Sequence, residues 1–97
     1  MAVYNVPRGQ LAAHDKVLVA NVADDVVFVD EVGRVTVWTD GTAAVFVCTD
    51  GNEATVNGGD CYELEAGAAG SQSFPVGQRK VSLISAGTPK YSVQRAE

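Results

Sequence analysis

The sequence predicts one all-β domain, a single antiparallel β-sandwich or flattened barrel preceded by an extended N-terminal arm. Three observations carry that prediction. Thr39-Asp40-Gly41 and Thr49-Asp50-Gly51 repeat ten residues apart, joined by the β-rich run Thr42-Ala-Ala-Val-Phe-Val-Cys48. Asp-Gly is a strong turn signal, because Gly adopts positive φ freely and Asp tolerates it while bonding nearby backbone groups. Val dominates the apolar residues while Leu and Met are scarce, and β-branched side chains favour a pleated surface. No segment holds a helical apolar period for three turns, so a helix is not required.

Element by element, residues 1–15 contain Pro7, Gly9 and His14 without sustained periodicity and read as an extended arm, docked either on its own domain or on a partner. The domain proper is expected over 16–97. A first strand is expected over 16–21 (KVLVAN), then a turn at Ala23-Asp24-Asp25 and a buried strand over 26–29 (VVFV). Residues 30–33 read as a connection. From Arg34 the alternation is clean, with Val35 and Val37 on one face and Arg34, Thr36 and Trp38 on the other. The Asp40-Gly41 turn should hand this strand to a partner over 43–49 in an antiparallel meander.

Residues 50–59 form a loop rich in Asn, Gly and Asp, followed by a half-exposed strand over 61–66 (CYELEA). After a turn at 67–70, a strand over 72–76 is placed at an edge, because Pro75 cannot donate a ladder hydrogen bond. Strands over 80–85 and 90–94 close the sheet as a pair. The expected inward set is Val35, Val37, Val45, Val47, Tyr62, Leu64, Leu83 and Val93.

With 97 residues the chain can bury one core. Its formal charge of −5 is unevenly spread. Residues 17–78 hold ten acids against Arg34 alone, a net −9, while 1–16 carry +1 and 79–97 carry +3. An acidic middle argues against nucleic-acid binding, which needs a concentrated basic patch. No run approaches a membrane span and residues 1–15 lack the apolar core of a secretory signal, so folding in a cytoplasm is expected.

Little here suggests catalysis. His14 is the sole histidine and lies in the arm, without the supports a hydrolytic triad requires. The acid pairs Asp24/Asp25, Asp30/Glu31 and Glu63/Glu65 are sequence neighbours and do not supply carboxylates across a cleft. Gly58-Gly59 precedes a strand, not the helix N-terminus that holds phosphate. Asp50, Asn52, Glu53 and Asp60 offer oxygen ligands on one loop, but not in an EF-hand pattern, and read as a turn cluster. Cys48 and Cys61 could face each other on paired strands; a reducing compartment would leave them as free thiols. Two cysteines and a distant His14 fall short of an ordinary zinc site. No catalytic residue, cofactor or metal is therefore expected, and Trp38, Phe46 and Tyr62 read as core packing in preference to a sugar-stacking platform.

The runs Trp38-Thr-Asp-Gly-Thr-Ala-Ala-Val-Phe-Val-Cys-Thr-Asp-Gly51, Gly59-Asp-Cys-Tyr-Glu-Leu64 and Val81-Ser-Leu-Ile-Ser-Ala-Gly-Thr-Pro-Lys-Tyr-Ser-Val93 carry a resemblance. Together, over residues 26–95, they resemble small capsid decoration (accessory head) proteins of tailed phages that infect actinobacteria. The resemblance implies a virion protein on the capsid exterior, assembled in the host cytoplasm. It would bind the assembled major capsid protein and reinforce the head, with monomer and self-associated dimer or trimer on the lattice all left open. The lack of catalytic residues fits a protein that is not an enzyme. On that reading the arm residues Val3, Tyr4, Val6, Pro7 and Arg8, with Lys16 beside them, are the expected capsid contact, the arm becoming ordered on docking.

A second likeness links Val45-Phe-Val-Cys-Thr-Asp-Gly51 to a strand-and-turn element of small Ig-like modules appended to carbohydrate-active enzymes. The sequence departs from it at Ala54, where that element carries proline. It implies an Ig-like general architecture and, as an alternative function, a glycan-binding adhesion module.

Overall fold

The computed structural model describes residues 1–67 and 69–96 and is all-β. Seven strands run in the order β1 (Val3–Val6), β2 (Ala12–Val17), β3 (Asp24–Thr39), β4 (Val45–Cys48), β5 (Tyr62–Leu64), β6 (Gly70–Ile84) and β7 (Lys90–Arg95). They form one sheet in the order β2-β7-β3-β6-β4-β5, with β1 added in parallel to β3. Every other pairing is antiparallel.

The two long strands organise everything else. β3 and β6 pair along nearly their full length, from Asp24↔Leu83 to Thr39↔Gly70. The first half of β3 takes β1 on its other side, and its second half takes β7. The sheet folds back on itself around one core, to which both halves contribute: Val26, Phe28, Val81 and Leu83 from one, Val35, Val37, Phe74 and Val93 from the other. This is the predicted flattened-barrel or sandwich architecture.

The bend has a visible cause. Between Val27↔Lys80 and Val32↔Gln78, β3 runs through more residues than β6, a bulge that re-aims the strand. Its freed backbone groups are held by arginines: Arg79 Nε donates to Phe28 O at 3.2 Å, and Arg95 Nη2 to Glu31 O at 3.1 Å. Residues 30–33, expected as a connection between two strands, are thus the bulged centre of one. In the same way, the expected strands over 72–76 and 80–85 are the two halves of β6. Pro75 does sit on an edge, since β4 pairs only with the far half of β6.

Four further expectations are corrected. β3 does not form a hairpin with β4, and 80–85 does not pair with β7. The Asp40-Gly41 turn instead ties β3 to the start of β7: Asp40 Oδ2 accepts the Lys90 N–H at 3.1 Å, and the Asp40 N–H donates to Lys90 O. An Asp-Gly pair specifies local backbone geometry but not which strand lies alongside. The strand expected over 16–21 ends at Val17: the Leu18 N–H bonds Pro89 O, but proline has no N–H to return the bond, and Asn21 takes φ 62°. Finally, residues 1–15 are not left for a partner to order but dock on their own domain as strands. They contribute β1 and most of β2, and both Val6 and Ala13 are buried in the core. Short strands with one inward residue each leave too few periods for a sequence pattern to register.

The inward set is as expected except for Tyr62, which is 42% exposed. It covers Phe74 from the rim of the three-residue strand β5, with ring centroids 4.7 Å apart. Both faces of β4 are buried, for a reason the pattern did not reveal. Val45 and Val47 enter the main core, while Phe46 and Cys48 pack with Ala23, Ala54 and Ile84 in a second cluster. The cover over that second face is the chain's own 49–61 loop, fixed where the Ala54 N–H donates to the buried Ser82 Oγ at 2.9 Å. Ala68, within the expected 67–70 turn, and Glu97 lie outside the described residues.

Candidate functional site

Two places in this fold gather side chains that are not consumed by packing. The first is the N-terminal edge. Six of the seven exposed large hydrophobics among the described residues lie within the first 29: Met1, Val3, Leu11, Val17, Val19 and Val29. Leu11 (60% exposed) and Val29 (38%) line one shallow depression with Arg8 and the Asp30–Arg95 ion pair. That pair is close, with Arg95 Nη1 2.6 Å from Asp30 Oδ1, and the hydrogen bond to Arg95 holds the Asp30 carboxyl below its ordinary value of 3.8.

The structure separates the expected contact residues. Val3, Pro7 and Arg8 are exposed, and Tyr4 and Lys16 are half-buried. Lys16 places its ammonium 4.5 Å from the centre of the Tyr4 ring, a cation–π contact between β2 and β1. Val6 is buried and unavailable. Leu11 was missed because it belongs to no periodic run, and Val29 because the continuous apolar run 26–29 read as wholly buried; Val26 and Phe28 are buried as expected, but Val29 is exposed. The outer edge of β2 is a poor template for adding a strand. Asp15 takes φ 56°, the ladder to β7 is irregular between Ala13 and Lys16, and the Asp15 N–H is bound to Ser92 Oγ.

The second place is the 49–61 loop. Cys48 Sγ lies 2.7 Å from Asp50 Oδ1 and 3.7 Å from Asp60 Oδ2, while Cys61 Sγ lies 3.6 Å from Asp60 Oδ1. One ligand atom each from Cys48, Asp60 and Cys61 falls within 4.8 Å of the others. Both cysteines are free thiols. Burial pushes the Cys48 thiol up to about 12, reinforced by its bond to Asp50, and burial raises Cys61 as well. The hydrogen bond from Cys48 in turn holds Asp50 down at about 2. These are protonated, weakly nucleophilic thiols. The two Thr-Asp-Gly turns share a local design: Asp40 Oδ1 accepts the Thr42 N–H and Asp50 Oδ1 the Asn52 N–H, each followed by Gly at positive φ.

The other candidates stay apart. His14 is exposed on β2 in a shallow depression with Ser71, Ser92 and Trp38, and among the described residues no hydrogen bond ties it to a carboxylate. Asp24 and Asp25 are buried structural groups. Asp24 is bonded by Tyr91 and the Ala2 N–H, whereas Asp25 faces Lys80 at 4.0 Å and its Oδ1 has no hydrogen-bond partner. Trp38 lines the His14 depression, Phe46 is in the second cluster and Tyr62 lies over Phe74, so these three aromatics form no common platform. Among the described residues no helix is long and apolar enough to cross a membrane.

No protein-family model matches the chain, and no curated protein matches it. Among solved structures it is similar to PliG of Aeromonas hydrophila, a periplasmic inhibitor of g-type lysozyme, at 14% identity over 96% of each chain with a TM-score of 0.46. A likeness at that level carries no inference about this chain.

Proposed function

We propose that this protein is a non-catalytic capsid decoration protein that docks on the exterior of an assembled major capsid protein lattice through its N-terminal edge. The observation that supports the reading is the concentration of exposed apolar side chains in the first 29 residues, on a segment already anchored by β1 and β2. It joins the sequence resemblance to actinobacterial phage head proteins. A contact built this way is preformed, so docking avoids the ordering entropy that a free arm would cost. Leu11 and Val29 supply the apolar centre and Arg8 a charged rim; burying each apolar side chain is worth roughly 1.5–3 kcal/mol. Single contacts of this size are weak, and repetition on a symmetric lattice, with self-association, multiplies them.

The test is co-sedimentation of the purified protein with undecorated heads assembled from the major capsid protein of the same genome, and separately with host cell-wall glycans. Saturable binding to heads is expected, weakened at least tenfold in a Leu11→Asp/Val29→Asp variant whose unfolding midpoint is unchanged. Binding to glycans without binding to heads would replace this reading with the adhesion module.

A further inference from the structure

We propose that Cys48, Cys61, Asp60 and Asp50 form a binding site for a zinc-class divalent cation, closed by the 49–61 loop. The inference does not depend on the docking function. Its first support is distance. A tetrahedral zinc with Zn–S of about 2.3 Å and Zn–O of about 2.0 Å sets its sulfur and oxygen ligands roughly 3.5 Å apart. Asp60 Oδ2 lies 3.7 Å from Cys48 Sγ and Asp60 Oδ1 lies 3.6 Å from Cys61 Sγ, both close to that tetrahedral edge. The ligand atoms of Cys48, Asp60 and Cys61 already lie within 4.8 Å of one another, so small side-chain rotations suffice to close on an ion.

Its second support is how the loop is built. The Gly58 N–H bonds Thr55 O at 3.0 Å and the Cys61 N–H bonds Gly58 O at 3.2 Å, two successive tight turns that return the chain to β4. A Cβ on Gly58 would collide with Thr55 Oγ1 and stand 3.0 Å from both Cys61 Sγ and the Thr55 carbonyl oxygen, so this close packing around the sulfur favours glycine. The loop therefore brings a second thiol and a carboxylate onto a thiol buried in the face of β4.

The third support is charge. Four potential anions converge where the sequence has no lysine or arginine between Arg34 and Arg79, and among the described residues neither Asp50 nor Asp60 is ion-paired with a basic side chain. Thiolate ligands select zinc, cobalt(II) or a comparably soft ion over calcium or magnesium. On binding, each thiol releases its proton to solvent. Asp50, no longer receiving the Cys48 proton, turns an oxygen to the fourth position, and the loaded site carries a net −2. Counting only His and Cys set zinc aside at the level of sequence; the structure adds the carboxylates.

The experiment titrates cobalt(II) into the reduced, chelator-treated full-length protein. Expected are one equivalent bound, a thiolate-to-cobalt charge-transfer band with tetrahedral d–d absorption, and displacement by zinc. Cys61→Ser should abolish the charge-transfer spectrum or halve its intensity, and Asp60→Asn should weaken binding at least tenfold. Glu53→Gln should bind like the parent. Circular dichroism of each metal-free variant confirms that it folds. Absence of a charge-transfer band at stoichiometric cobalt would overturn the proposal. So would binding unaffected by both Cys61→Ser and Asp60→Asn, or recovery of the anaerobically purified protein as a Cys48–Cys61 disulfide.

Discussion

The Tyr91 hydroxyl donates to Asp24 Oδ2 at 3.0 Å, and both residues are buried. Asp24 Oδ1 accepts the Ala2 N–H at 3.3 Å, while Ala2 O accepts the Asp25 N–H at 2.9 Å. One carboxyl group thus joins β7, the start of β3 and the N-terminus. Burial, with Asp24 alongside, raises the Tyr91 phenol above its ordinary value of 10.0. Tyr91→Phe keeps the ring but removes the donor, leaving a buried oxygen short of a partner. We expect a loss of about 1–3 kcal/mol in urea unfolding. An unchanged midpoint would mean that the bond contributes nothing net.

The bulge of β3 gives a pH prediction. Asp30 and Asp40 are both held below 3.8, Asp30 chiefly by its hydrogen bond to Arg95 and Asp40 by the Thr42 N–H. A carboxyl group whose folded value is depressed adds stability that is fully present above the unfolded value and is lost as pH falls through the folded one. Acid weakening should therefore begin below about pH 4. In Arg95→Gln, NMR titration should show the Asp30 value moving up while that of Asp40 stays put. Both moving together would show that a general charge effect, not the pair, sets them.

Adjacent glycines supply a matched test of the 49–61 loop. A Cβ at Gly58 collides with Thr55 and Cys61, whereas at Gly59 it meets nothing within 4 Å. Gly58→Ala should cost about 1–3 kcal/mol through overpacking, and Gly59→Ala should stay within about 0.5 kcal/mol of the parent. Equal effects of the two substitutions in thermal unfolding would show that the loop repacks freely.

How much of this was legible depends on how far each signal reaches. The alternation of Val35 and Val37, and of Val45 and Val47, reports which face is inward, and all four are fully buried. Asp40-Gly41 and Asp50-Gly51 report turns, and both glycines take positive φ. Pairing is a long-range property. Nothing near Asp40 in the sequence says that its carboxylate will hold Lys90 instead of opening a β3–β4 hairpin. Phe46 reads as core packing and is buried, but what covers its face of β4 was not legible, because a loop of Ala54, Val56 and Cys61 has no period. The convergence of Asp60 with Cys48 was hidden for the same reason, since it is made by turns at Thr55 and Gly58. The N-terminal segment misled most, as its inward residues Val6 and Ala13 lie in separate strands that bond to distant partners.

That segment allows folding and docking to be measured apart. Val6 is buried against the core while Leu11 is 60% exposed. Val6→Ala should cost about 1–3 kcal/mol by lost burial and residual cavity, whereas Leu11→Asp should change stability by less than about 0.5 kcal/mol. Removing residues 1–7 deletes the β1 ladder from Val3↔Asp25 to Val6↔Phe28, along with the Ala2 N–H bond to Asp24 and the Asp25 N–H bond to Ala2 O. The truncated chain should therefore unfold at markedly lower urea, and any loss of partner binding it shows would not locate a contact. Leu11→Asp can locate one, because it leaves these interactions in place. If the truncation keeps the parent's unfolding midpoint, β1 lies outside the cooperative unit and the anchored-edge description fails.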